Sequence, residues 1–180
     1  MPTLDHLPVT ALIPHRPPMQ LLTRILLSSA DDIWSRIELD QQATFVSDGA
    51  VSAVITLEYM AQTAAAFFSL QSPADTGVGP RPGMLIGCPS LDCKIASINV
   101  PTALAVQVSR ASALPQTPDA SALVRFSGKV FDLGPQTECD GHPNTTITSA
   151  QSKSPVATAA ISVFLPAAGH LTGTGQPTTQ

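Results

Sequence analysis

The sequence predicts an α+β fold in which antiparallel strands enclose one long helix. Three observations lead there. The stretch Ala53–Leu70 holds 18 residues, 13 of them apolar, with no Gly or Pro. That length and alanine content specify a helix rather than a strand, and a helix apolar nearly all round must be wrapped by other structure. Three later runs alternate apolar and polar residues, as strands of a sheet with one wet face do. Finally, 17 prolines in 180 residues, about twice the usual share of roughly 5%, exclude an all-helical bundle.

In chain order, Gln20–Leu27 and Ile33–Leu39 read as two strands joined by the turn-like Ser28-Ser29-Ala30-Asp31-Asp32. The helix follows. Gly83–Gly87 and Cys93–Val100 are weaker strand candidates. The alternating runs are Thr102–Ala113, Ser121–Asp132 and Pro155–Leu165; in the second, Val124, Phe126 and Val130 oppose Arg125, Ser127 and Lys129. One domain over residues 1–166 accounts for all of them. Residues 134–155 carry no aromatic and only Ile147 as a large aliphatic, so they read as a polar hairpin insertion. Residues 167–180 read as a flexible tail. Glu58, Gln62, Thr56, Thr63 and Ser69 make the helix too polar for a membrane span.

Only 12% of residues are charged, about half the usual share of roughly 25%. Nine Lys plus Arg against 13 Asp plus Glu give a net charge of -4, and only three of the nine cations are Lys. Such a chain builds no basic field for nucleic acid or an anionic membrane. Cys88, Cys93 and Cys139 are odd in number and lack zinc-ligand spacing, so they read as reduced thiols. Met1–His6 shows neither a basic n-region nor an apolar run. Together these features point to the cytoplasm.

Glu58 is the only charged residue between Gly49 and Ala74. A carboxyl buried on an apolar helix is expected to hold its proton more tightly, as a general acid near neutral pH must. Gln62 lies four residues on and shares a polar seam with it. A structural acid capped by a buried hydrogen-bond network fits the same pattern.

Ile13-Pro14-His15-Arg16-Pro17-Pro18-Met19-Gln20-Leu21-Leu22-Thr23-Arg24 resembles the opening of the FabZ-type 3-hydroxyacyl-ACP dehydratases, which begin with a Pro-His-Arg loop leading into a strand. Leu57-Glu58-Tyr59-Met60-Ala61-Gln62 resembles their central helix. The Pro-Pro-Met and Glu-Tyr-Met-Ala-Gln wording is most similar to the dehydratase-like subunit of aryl polyene pigment clusters. The resemblance spans about residues 5–166 without the insertion. It implies a hotdog fold, a long helix wrapped by a curved antiparallel sheet and assembled as dimers, with Glu58 as catalytic acid. It also implies a tunnel for a flat acyl chain, with Phe45 and Met60 near its mouth and Gln62 in the substrate-binding set. No metal or organic cofactor is implied.

The sequence departs from the family in one place. The catalytic His of the family begins a loop fourteen residues before the Glu; here that position is Thr44, and the loop's prolines are missing. A Thr hydroxyl is no base near pH 7. The Pro-His-Arg residue His15 is read as shaping the approach to the first strand, so no group near Glu58 is expected to take a proton. Because His and Glu come from opposite subunits in the family, a hotdog partner bearing the His is the implied second subunit. The implied reaction is water elimination from a 3-hydroxyacyl chain on acyl carrier protein, giving a trans-2-enoyl product. A non-catalytic hotdog scaffold and an acyl thioesterase are the alternatives. Carrier proteins are acidic, so docking calls for a local basic patch, for which Arg81, Lys94 and Arg110 are the candidates.

Overall fold

The computed structural model describes residues 4, 7–71, 83–113, 120–135 and 142–167. A short helix, α1 (Val9–Leu12), precedes strands β1 (Arg24–Ser28) and β2 (Asp32–Leu39). Two short strands, β3 (Val46–Ser47) and β4 (Ala50–Ser52), lead into a 3-10 turn at Ala53–Ile55 and the long helix α2 (Thr56–Gln71). Then come β5 (Met84–Cys93), β6 (Ser97–Asn99), β7 (Thr102–Arg110), β8 (Ala122–Gly134), a helix α3 (Pro143–Gln151) and β9 (Ala157–Leu165). Six strands form an antiparallel sheet in the order β1-β2-β7-β8-β9-β5, and β3-β4-β6 form a small second sheet.

The expected helix is therefore a 3-10 turn continued by α2, and it lies against β2, β7, β8 and β9. The Ala53–Gln71 stretch has the length and hydropathy of a membrane span, yet its apolar faces are buried by the sheet. Phe67 and Phe68 meet Phe126 of β8 edge-on, with the Phe68–Phe126 ring centroids 5.3 Å apart. Burying each such ring stabilises the fold by roughly 1.5–3 kcal/mol. One polar link crosses the layer: the Ser35 and Thr63 hydroxyls are 2.7 Å apart, and Thr63 also donates to the Tyr59 carbonyl. Both side chains are fully buried, and the mutual bond removes the cost of leaving them unpaired.

Two expectations need correction. The 134–155 segment is not a solvated hairpin throughout. Its residues 143–151 form α3, and Ile147, Thr146 and Ala150 are buried against the outer face of the sheet, where Trp34 stacks on Phe131 at 5.8 Å. Pro143 suits the first helical position, where its missing N–H costs nothing. One isoleucine and two small residues suffice because they only cap a patch that the sheet's own aromatics fill. For the same reason β7 is buried on both faces along most of its length rather than half solvated. Beneath α3, the wholly buried Arg36 donates to Thr146 and pairs with Glu38.

β1 begins at Arg24, four residues after the expected start, because the 13–23 segment makes other bonds. The weak candidate at 83–87 is the start of β5. This strand forms one edge of the large sheet, and Met84, Leu85 and Ile86 stand exposed on it. The expected tail, 167–180, lies outside the described residues from 168 on.

Candidate active site

The N-terminal Pro-His-Arg segment is anchored by Arg16, whose guanidinium donates to the Ile13 and His15 carbonyls, while its own carbonyl accepts from the Met19 and Gln20 N–H groups. This tight loop runs beside the start of α2. Glu58 sits in the first turn of that helix.

Gln62, one turn further on, joins the two. Its amide N–H groups donate to Glu58 Oε1 at 2.9 Å and to the Met19 carbonyl at 2.8 Å, and its Oε1 accepts from the Leu21 N–H at 3.0 Å. A flipped amide would set its NH2 against the Leu21 N–H, so the network fixes its orientation. Gln62 is fully buried. It was expected to bind substrate; in the structure it holds the carboxylate and the loop in register.

The same geometry corrects the reading of His15. Its Nε2 lies 3.7 Å from Glu58 Oε1, and the two side chains are 33% and 34% exposed. An imidazole from the same chain therefore stands beside the acid. His15 and Glu58 are 43 positions apart, and only the loop closed by Arg16 and Gln62 brings them together. The exposure also removes the basis for expecting a deeply buried Glu58.

The Thr44 hydroxyl donates to the Pro18 carbonyl, which ties the loop before β3 to the His15 segment. Phe45 follows in the left-handed region (φ +72°) and is 45% exposed, a ring left free to meet a substrate or a partner. Met60 is different. It is wholly buried, and its side chain fills the space over Gly128 of β8 that a Cβ there would occupy. It is a core residue and not part of an open tunnel mouth.

A cavity of about 320 Å³ opens beside this constellation, walled by Pro17, Pro18, Leu39, Thr44 and Tyr59; Glu58, Phe45, Met60 and Gln62 do not line it. The Tyr59 hydroxyl is buried without a hydrogen-bond partner among the described residues, and burial pushes its pKa up to about 12. The phenol therefore stays neutral under all ordinary conditions. Of the cations considered for a docking patch, Lys94 pairs with Asp92 and Arg110 with Asp31; Arg81 lies outside the described residues. Cys88 and Cys93 are free thiols, and Cys139 lies outside the described residues.

A long helix enclosed by an antiparallel sheet, with a carboxylate in its first turn, defines a protein of the hotdog fold. Solved structures share the architecture. The dehydratase heterocomplex ApeI:P from Xenorhabdus doucetiae matches with a TM-score of 0.68 at 19% identity, over 89% of this chain and 92% of that one. Zebra fish thioesterase superfamily member 2 matches at 0.56 and 9% identity, over 92% and 99%. A hypothetical thioesterase with coenzyme A from Streptococcus pneumoniae TIGR4 matches at 0.51 and 9%, over 80% and 85%. No curated protein matches. The chain belongs to the ApeP-like dehydratase family, whose model matches residues 7–173.

Proposed function

We propose that the chain is one subunit of a heteromeric 3-hydroxyacyl-ACP dehydratase of aryl polyene biosynthesis, acting in the cytoplasm. The observation that carries this reading is Glu58, held by Gln62 at the start of the core helix and still open to solvent. Eliminating water from a 3-hydroxyacyl thioester requires a base at C2 and an acid at the departing C3 hydroxyl. Glu58 serves as the acid. Backbone N–H groups at a helix N-terminus can stabilise the charge that develops on a thioester oxygen.

Assembly with a second hotdog subunit is supported by β5. An edge strand with three adjacent exposed apolar residues is a template for pairing with another chain. The similar Xenorhabdus protein belongs to a heterocomplex. Phe45, exposed on a left-handed turn, is the residue we assign to the substrate or subunit boundary.

A second reading concerns the base alone. Thr44 leaves the family's loop without an imidazole, and a partner subunit that contributes one across the interface is the alternative to a base within this chain. The test of the whole reading is reconstitution. The chain is purified alone and with a hotdog subunit that carries a His-Phe-Pro loop, and water loss from 3-hydroxyacyl-ACP is followed by mass. Turnover by the complex is expected. A stable complex without turnover would leave only the scaffold reading, and thioester hydrolysis would assign the chain to the thioesterases.

A further inference from the structure

We infer that His15 is the base that removes the C2 proton, so that acid and base belong to one chain. The inference rests on the dehydratase reading above and names a second catalytic residue for it. Three observations carry it. His15 Nε2 and Glu58 Oε1 are 3.7 Å apart, beyond a good hydrogen bond but close enough to serve adjacent carbons joined by a bond of about 1.5 Å. Both side chains are about one-third exposed, so both are open to a group arriving from solvent. Nε2 is the nitrogen that faces Glu58, and the buried Nδ1, which has no hydrogen-bond partner among the described residues, carries the ring hydrogen when Nε2 accepts a proton.

The placement is also held rather than incidental. Arg16 closes the loop around the His15 carbonyl. Gln62 bonds Met19 and Leu21 of that loop as well as Glu58, so one buried side chain sets the separation of the pair. Misplacing such groups by about 1 Å can cost roughly 10²-fold in rate. In the step, His15 Nε2 takes the C2 proton, and the C2–H electron pair becomes the C2–C3 double bond. The C3–O bond breaks, and the hydroxyl leaves as water with the proton of Glu58. Transfer of the proton from the imidazolium to the Glu58 carboxylate restores both groups.

The experiment uses the assembled enzyme with His15→Gln and His15→Ala in this chain, and measures kcat, subunit assembly and thermal stability. His15→Gln is expected to lower kcat by about 10²–10⁴-fold while assembly and melting stay as in the unaltered complex. Added imidazole is expected to recover part of the His15→Ala rate, which a loop-shaping role would not allow. Activity of His15→Gln within a few-fold of the unaltered complex would overturn the inference and give the base to the partner subunit. Loss that imidazole does not recover, accompanied by weakened assembly, would assign His15 to structure. An unaltered complex inactive on 3-hydroxyacyl-ACP would instead reject the dehydratase reading itself.

Discussion

Gln62 donates to Glu58 from one helical turn away, at 2.9 Å, and through the same amide it fastens the loop that carries His15. Removing the amide while keeping its volume separates these jobs. Gln62→Met is expected to leave the Leu21 N–H and Met19 carbonyl unpaired, at about 1–3 kcal/mol each, and to lower kcat more than it raises KM. Denaturant unfolding and steady-state kinetics check both. Unchanged kcat with a raised KM would return Gln62 to substrate binding.

Trp34 is the only tryptophan in the chain, and it lies in the patch that α3 covers. Ile147→Ala is expected to cost about 2 kcal/mol, the low end for truncating a buried isoleucine, and to shift tryptophan emission to the red as water reaches the ring. An unmoved spectrum would mean that α3 does not seal this face.

Ile86 stands exposed on the edge strand β5. Ile86→Lys is expected to leave the chain folded and to weaken subunit assembly, since charge on an edge discourages pairing. Size-exclusion chromatography with circular dichroism checks this. Normal assembly would place the interface elsewhere.

Tyr59 is the only tyrosine, so phenolate absorbance reports it alone. Burial raises its pKa from 10.0 to about 12, so the unfolded chain loses this proton first as pH rises. The stability linked to Tyr59 is fully present below pH 10.0 and is lost as pH climbs through about 12. Tyr59→Phe is expected to flatten that decline. An absorbance midpoint near 10.0 in the folded chain would show a solvated ring.

Much of the fold was legible because its signals are local. The apolar run around Phe67 and Phe68, and the alternation that puts Val124, Phe126 and Val130 on one face, are read within a single window. α3 was not, because Ile147 is its only large apolar residue and the patch it covers comes from Trp34 and Phe131 on distant strands. Glu58 was legible as the one charge on an apolar helix. The pairing of His15 with Glu58 was not, because it depends on loop closure through Arg16 and Gln62, which no periodicity encodes. Met60 looked like a site residue from its place in the motif. Its burial over Gly128 emerges only from the register of α2 on β8.

The most direct test of the central claim is Glu58→Gln in the assembled dehydratase, with water loss from 3-hydroxyacyl-ACP followed by mass. The amide keeps the size and an acceptor but offers no ionisable proton to the leaving hydroxyl. Folding and assembly are expected to persist while kcat falls by about 10²–10⁴-fold. Dehydration within a few-fold of the unaltered complex would show that Glu58 is a structural acid and would contradict the account.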